Sequence, residues 1–330
     1  MNPLTIVIPT YERPQFLADT LASIETQTRR DFDLVVLDNG SLSSYSQVLE
    51  RFSSLGIEYI RNESNIGSGP NQTKAREICS RTEFGMVFHD DDIMHPRLVE
   101  WELGFLEEHA DAAWIAAECQ AFADGLEPPV ETWSGVAGAV ELHVERASLV
   151  RWIMDDTMLH FGSTMYRSSA LLKAESYVAE LERFHIVGDR PYLLEVAKSG
   201  STALIREPLV LYRLHAAQDT HDPNLTDDQA IALMHYYRDV LLEAPMPGDA
   251  DLLARHATNY LLHVHSVTAR ENNGSLRELV ARERADGLFR WRSLNGQGVG
   301  ALARMMGLGR AFESARPALS AVRRVFQPRR

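Results

Sequence analysis

Three consecutive carboxylates, Asp90-Asp91-Asp92, follow His89 and the apolar run Gly85-Met86-Val87-Phe88. A half-buried strand ending in three acids concentrates negative charge. Like-charge repulsion then costs folding free energy unless a cation or a row of donors neutralises it. A hard divalent ion, held by one or two carboxylates and completed by substrate phosphates, meets that need. The simpler reading is a helix N-cap cluster ahead of Pro96, because acids favour helix starts. One acid satisfies that role, and three exceed it.

Other residues with chemical potential are more scattered. Gly188-Asp189 is a good opening for a helix over Arg190 to Lys198. Asp155-Asp156 precedes Met158-Leu159-His160 and is a rival acidic pair. His215 and His221 fall in a polar loop after Val210-Leu211-Tyr212. His160 reads either as an acceptor-site residue or as a hydrogen-bonded core histidine. His235, His256, His263 and His265 lie in helical territory without metal-ligand spacing, and His263 and His265 point to different sides of a helix. These four read as structural.

The elements that must position the acids alternate. Ile6-Val7-Ile8 is a strand, followed by Pro9-Thr10-Tyr11-Glu12-Arg13-Pro14 and a helix from Phe16 to Thr26. Phe32 to Leu37 is a second strand, ending in Asp38-Asn39-Gly40-Ser41 before a helix around Tyr45 to Phe52. Ile57 to Ile60 is a third strand, leading through Asn65-Ile66-Gly67-Ser68-Gly69-Pro70 to a helix from about Asn71 to Ser80. Gly85 to Phe88 is the fourth, and Pro96 opens the next helix. This alternation predicts βαβ units and a mainly parallel sheet. Ligands of such sheets bind beyond the carboxyl ends of the strands, where Asp38-Asn39 and the acidic run both fall. Asn65 and Gly67 make a turn, and the glycine also lets backbone approach a nucleotide. Farther on, Trp114 to Ala117 and Ser163 to Arg167 read as strands. Phe122 to Gly138 reads as a mobile excursion lining an acceptor site, and the chain past Thr226 as helical.

Composition narrows the class. The chain has 330 residues, 45% hydrophobic and 24% charged, enough for one large domain with an extension. Cys79 and Cys119 are its two cysteines, so neither a disulfide framework nor a cysteine metal cluster is expected. It opens on a strand-like segment without a signal-peptide pattern, and no apolar run approaches the ~20 residues that span a bilayer. Net charge is −13, but residues 290–330 hold nine Arg, no Lys and one acid, a local +8 that leaves −21 elsewhere. An acidic body argues against nucleic acid as a partner. In the tail, Leu302, Met305, Met306, Leu308, Phe312, Leu319 and Phe326 interleave with Arg304, Arg310, Arg316, Arg323 and Arg324. That basic amphipathic pattern is apt for lying on an anionic membrane surface.

Taken in order, Thr5-Ile6-Val7-Ile8-Pro9-Thr10-Tyr11, Asp38-Asn39-Gly40-Ser41, Asn65-Ile66-Gly67, Asp90-Asp91-Asp92 with Pro96, Gly188-Asp189 and Tyr212-Arg213-Leu214-His215 resemble the family 2 glycosyltransferases of the GT-A fold. The likeness covers roughly Leu4 to His221. It implies an α/β, Rossmann-like GT-A sheet flanked by helices over residues 1–222, with a nucleotide-binding half (1–110) and an acceptor or catalytic half (111–222). Residues 223–330 would form a helical C-terminal region with the basic tail. It further implies that Pro9, Tyr11, Asp38, Asn39, Asn65, Gly67 and Asp90 surround the donor nucleotide. Asp91 or Asp92, with His215, would hold Mn²⁺ or Mg²⁺, and Asp189 would be the catalytic base. The family often has two acids where this chain has Asp38-Asn39.

The chemistry suits these residue types. A cation stabilises the diphosphate that leaves a nucleotide sugar, and a carboxylate takes the proton of a weakly nucleophilic hydroxyl during one inverting displacement. The expected partners are a nucleotide-sugar donor, with UDP as the default, and a glycan or lipid-linked acceptor. The setting would be bacterial surface polysaccharide synthesis at the inner face of the cytoplasmic membrane. A nucleotidyltransferase is the alternative, disfavoured by Pro9-Thr10-Tyr11-Glu12-Arg13 where a lysine-bearing glycine-rich loop belongs. A catalytically inactive scaffold is the non-enzymatic one.

Overall fold

Strand β1 (Leu4–Thr10) is buried along nearly its whole length, as expected of a central strand covered on both faces. In the computed structural model, which describes residues 2–133, 138–143, 145–154, 159–174, 183–184, 188–215, 226–268 and 276–305, β1 lies between two parallel neighbours. These are β2 (Phe32–Asp38) and β4 (Phe84–Val87), and β2 pairs in turn with β3 (Glu58–Arg61). All four strands point their carboxyl ends the same way. The ladder runs one residue past each end: Asn39 N donates to Thr10 O, Asn62 N to Asp38 O and Phe88 N to Val7 O, at 2.8–2.9 Å.

The helices between these strands follow from the chain's local chemistry. α1 (Pro14–Glu25) starts at a proline, whose missing N–H is no loss in a first turn, and it buries Leu17, Leu21 and Ile24 against the sheet. α2 (Ser46–Arg51) is short. α3 (Ser68–Cys79) begins after Gly67, and α4 (Leu98–Glu108) two residues after Pro96.

Beyond β4 the sheet changes character. Among the described residues nine strands form one mixed sheet in the order β3-β2-β1-β4-β8-β6-β9-β5, with β7 (Val140–His143) on β9. β8 (Leu159–Arg167) pairs antiparallel with both β4 and β6 (Ala112–Ala123), while β6 and β9 (Ser201–Leu214) run parallel. Two-residue β5 (Ile93–Met94) pairs antiparallel with β9, Ile93 opposite Leu211. The expected parallel alternation thus describes the first half, and the second half closes through antiparallel pairs. α5 (Arg146–Met154), α6 (Ser168–Ala174) and α7 (Asp189–Val196) accompany it. Within residues 124–133 of the expected excursion, Trp133 packs on Ile93, Phe122 and Leu211. Residues of this stretch border a cavity of ≈ 890 Å³ that also touches Asp19, Met94 and Arg213.

The chain divides into two compact units, residues 1–182 with 188–218, and residues 183–187 with 219–330. In the second, α8 (Asp227–Leu241) opens on a capping box in which Thr226 and Gln229 each satisfy the other's backbone N–H. α9 (Asp249–Thr268), α10 (Leu276–Ala285) and α11 (Gly296–Met305) complete the described part. No helix among the described residues is long and apolar enough to cross a membrane. Asp155-Asp156, His221 and the basic tail from residue 306 lie outside the described residues.

One residue breaks the helical pattern. On α4 the buried stripe is Leu98, Val99, Glu102, Leu103 and Leu106, and Glu102 is 0% exposed with neither carboxylate oxygen hydrogen-bonded. Burial pushes its pKa well above the ordinary 4.5, so the folded chain keeps a proton that the unfolded chain releases. The contribution of this one group is therefore most favourable below that ordinary value and is lost as pH rises toward the raised one. Glu102→Leu should raise the unfolding free energy at pH 8 by ~1–3 kcal/mol and flatten the dependence between pH 5 and pH 8. Denaturant unfolding at both pH values checks this, and an unchanged profile would show that the carboxyl has a partner.

Candidate active site

The carboxyl ends of β1, β2, β3 and β4 deliver Thr10, Asp38, Asn62 and the Asp90–Asp92 run to one edge of the sheet. All three acids are buried. Thr10 Oγ1 donates to Asp90 Oδ2 at 2.6 Å, and Arg13, at the start of α1, places Nη1 3.4 Å from Asp90 Oδ1 and 3.1 Å from Asp91 Oδ2. His215 Nε2 sits 2.8 Å from the same Asp91 oxygen, its ring 4.6 Å from that of Phe16. Burial and the Asp91 charge push Asp90 up to about 7, against the pull of Arg13 and Thr10. The negative charge here is only partly neutralised by the chain itself.

Asp92 faces a different set. Its Oδ1 accepts from Arg213 N at 3.0 Å, while Oδ2, fully buried, has no hydrogen-bond donor. That oxygen lies 3.3 Å from His89 Nδ1 and 3.7 Å from His160 Nε2, and the three ligand atoms lie within 4.8 Å of one another. Burial lowers the His89 pKa, but the Asp92 carboxylate and the neighbouring acids outweigh it and leave His89 at about 9. Burial pushes His160 well below its ordinary value, and the positive His89 and Arg190 push the same way. The result is a His89 cation paired with Asp92 beside a neutral His160. Gly162 makes room for the two imidazoles, since a Cβ there would stand 3.2–3.3 Å from both rings.

Arg213 holds the two sets together. Its Nε donates to Asp91 O at 2.9 Å, Nη2 to Asp19 at 2.8 Å and Nη1 to Asp124 at 3.3 Å. The guanidinium lies 5.0 Å from the centre of the Phe16 ring and of the Phe122 ring. The β5–β9 pairing brings it there. Thr20 Oγ1 on α1 donates to Asp92 O, fixing the other side of the run.

The expected nucleotide residues are placed as follows. Pro9 lies in β1 opposite Leu37, and Tyr11 follows the strand with 42% of its surface exposed. Asp38 is buried, accepts from Tyr59 Oη at 2.7 Å and from Ser41 N at 2.9 Å, and forms an ion pair with Arg61 Nε at 3.2 Å. Asn39 uses its whole side-chain capacity inside the loop. Its Nδ2 donates to Asn65 Oδ1 and Gly67 O, and its Oδ1 accepts from Asn62 Nδ2 and Ile66 N. Asn65 Oδ1 also accepts from Gly67 N at 2.8 Å. Gly40 sits at φ 77°, where a Cβ would come within 2.4 Å of the Ser64 backbone, so the loop closes only around glycine there.

The structure brings Asp90, Asp91 and His215 together and turns Asp92 toward His89 and His160. Asp189 stands at the first position of α7, where its Oδ1 accepts from Arg190 N at 2.8 Å, and α7 packs on the β6–β8 part through Trp114 Nε1 donating to Leu193 O. Roles that the sequence did not reveal belong to Thr10, Glu12, Arg13, His89 and Arg213. Glu12 has φ 56° and accepts from Leu42 N, Ser43 N and Ser43 Oγ, clamping the loop after β2. The signal available was the cluster Tyr11-Glu12-Arg13 between strand and proline, yet charged loop residues usually read as solvated.

The donor set fits a divalent cation. An imidazole and a carboxylate share one buried point at Asp91–His215, with a second buried carboxyl, Asp90, beside them. The fold is the GT-A fold. Residues 1–349 of S. aureus TarS, crystallised with UDP-GlcNAc, superpose with a TM-score of 0.57 over 95% of this chain and 91% of that fragment, at 15% identity. The model of glycosyl transferase family 2 matches residues 5–171, and the chain belongs to that family. Among its relatives, an uncharacterized glycosyltransferase of *Methanocaldococcus jannaschii* is 30% identical over 112 residues, 33% of this chain and 38% of that protein. Another, from *Haemophilus influenzae*, is 25% identical over 239 residues, 68% and 73% of the two chains. Family membership decides against the nucleotidyltransferase alternative.

Because Asn39 is saturated by its own loop, Asn39→Ala should cost ~1–3 kcal/mol of stability by stranding the Asn62 and Ile66 donors. Chemical denaturation checks this. Unchanged stability with lost nucleotide binding would instead make Asn39 a direct ligand.

Proposed function

We propose that the chain transfers a sugar from a nucleoside-diphosphate sugar to a hydroxyl of a glycan or lipid-linked acceptor, with inversion at the anomeric carbon. The observation that carries this reading is the buried contact of 2.8 Å between Asp91 and His215 at the carboxyl edge of the parallel strands, beside Arg13 and Asp90. UDP is the default nucleotide, a choice that the likeness to TarS with UDP-GlcNAc supports.

In this reading Asp91 and His215 hold Mn²⁺ or Mg²⁺, which when bound stabilises the charge that develops on the departing diphosphate. Thr10 keeps the Asp90 carboxyl turned toward the ribose and phosphates. Pro9, Tyr11, Asp38, Asn39, Asn65 and Gly67 shape the base and ribose site, with Asn39 and Asn65 acting through the loop they fix. Arg13 holds the Asp90 and Asp91 side chains in place and lies close enough to meet a phosphate. Asp189 takes the acceptor hydroxyl's proton as the new carbon–oxygen bond forms on one face of the anomeric carbon and the bond to diphosphate breaks on the other. Its Oδ1 is anchored on Arg190 N, which fixes the carboxylate's orientation. Asp92 stays paired with His89.

Residues 1–222 would be the catalytic domain, divided near residue 110, and residues 223–330 a helical extension. The basic tail would rest on the inner face of the cytoplasmic membrane, with surface polysaccharide synthesis as the setting. The last assignment is fold-level analogy.

A panel of nucleotide sugars with Mn²⁺, read as donor binding and hydrolysis, tests the reading. If no nucleoside diphosphate binds with metal present, it fails. Asp189→Asn should lower transfer by ~10²-fold or more while donor affinity stays within a factor of two or so. Lost donor binding would move Asp189 to the nucleotide site. By contrast, Asp91→Asn and His215→Ala should each weaken Mn²⁺-dependent nucleotide binding by ~10-fold or more, measured calorimetrically with and without metal. Equal binding in both conditions would remove these two residues from the metal site.

A further inference from the structure

The helical unit contains a second set of metal-type ligands, built around a histidine that sequence spacing assigns to the structural background. His235 Nε2 on α8 lies 3.8 Å from Glu283 Oε2 on α10 and 3.7 Å from Asp286 Oδ2 just after it. All three ligand atoms fall within 4.8 Å of one another. The first two separations are too long for hydrogen bonds. They are close to the ~3.4 Å between two ligand atoms that each sit ~2.1 Å from one tetrahedral ion.

Glu283 supplies an independent observation. Its side chain is 1% exposed, and Oε1 accepts from Arg282 Nε at 2.8 Å, but Oε2 has no hydrogen-bond donor although it is buried. A buried carboxylate oxygen left without a donor is unfavourable unless a cation meets it. That bare oxygen is the one facing His235. Arg282 also reaches Asp228 at 3.1 Å, which draws its charge away from the His235 side. The chain wraps after α10, with Leu288 N and Phe289 N both donating to Glu283 O, and this places Asp286 next to the pair.

We propose that His235, Glu283 and Asp286 bind a divalent transition-metal ion that clamps α8 to the C-terminal end of α10. One imidazole with two carboxylates suits zinc-type ions, whereas magnesium and calcium favour all-oxygen sets. His235 is 28% and Asp286 48% exposed, so an ion has a path in and room for a water as fourth ligand. Sequence spacing hides the site because its ligands come from two helices 48 residues apart, His235 and Glu283. The competing arrangement is an ion pair only, with a protonated His235 bridging the two acids.

The test uses the full chain carrying Asp91→Asn, so that the candidate active-site ligand set is disabled. Zn²⁺ binding is measured by calorimetry without nucleotide and compared with the same chain carrying His235→Ala or Asp286→Asn. Both residues are partly exposed, which spares the core. The proposal expects one Zn²⁺ equivalent to be lost or weakened by ~10-fold or more in either variant. Zn²⁺ should raise the melting temperature of the parent and not of His235→Ala, and Co²⁺ should give the parent a visible absorption band that His235→Ala lacks. Identical Zn²⁺ stoichiometry and affinity in parent and variants would overturn the site and leave the ion pair only.

Discussion

Burial of three adjacent carboxylates at the end of β4 is the constraint to which the rest of the catalytic unit answers. Each buried acid needs a donor or a cation, and no single element supplies enough of them. β1 contributes Thr10, Arg13 just before α1 and Thr20 within it contribute two more, β4 leads to His89, and β9 with the residue after it contributes Arg213 and His215. The requirement thereby locks the parallel half of the sheet to the antiparallel half. Arg213 is the strongest bracket, because one side chain binds the acidic run, α1 and the Asp124 loop, with aromatic rings on either side. Even so, Asp92 Oδ2 is left without a donor, and burial with the Asp91 charge pushes Asp90 up to about 7.

Around this centre the loops are organised by side-chain amides, with Lys74 and Glu12 in support. Asn39, Asn62, Asn65 and Asn71 hydrogen-bond one another between the ends of β2 and β3 and the start of α3, and Lys74 Nζ donates to Asn62 at 2.6 Å. Glu12 performs the same service for residues 42–43. Such a network fixes backbone near the strand ends before any ligand arrives, so less ordering entropy is lost on binding. It also explains why an asparagine is at home beside Asp38. A second carboxylate at position 39 would find two donors in Asn62 and Ile66 but would face acceptors at Asn65 Oδ1 and Gly67 O.

Much of this was legible in the residues, for identifiable reasons. The parallel half follows from local alternation, since each βαβ unit is encoded within a short stretch, and the chain past Thr226 announces its helix with a capping box. The antiparallel half was harder because β6, β8 and β9 meet by long-range pairing that leaves no periodic trace, and β5 is two residues long. The acids were found as a cluster, but their division was not. Consecutive side chains take different directions, and only the fold shows that Asp91 meets His215 whereas Asp92 meets His89. Arg213 entered only as one letter of a motif, yet it is buried, and Glu102 occupies a helix position that patterning assigns to an apolar residue. In each instance a tertiary partner, or the lack of one, overrode the local rule.

That division of the acids bears on how the site works. Asp91 and Asp92 are neighbours in sequence but meet different side-chain partners, and Arg213 Nε and Thr20 Oγ1 hold the two backbone carbonyls. Against the cost of burial, Asp92 and the neighbouring acids raise His89 to about 9, and this imidazole offsets Asp92. Burial pushes His160 well below its ordinary value, and the adjacent His89 acts the same way. His89, Asp92 and His160 thus form one buried set, and Asp90, Asp91 and His215 a second beside Arg13. Building both from one tetrapeptide, His89 to Asp92, lets a single strand end take partners from β1, α1, β8 and β9 alike.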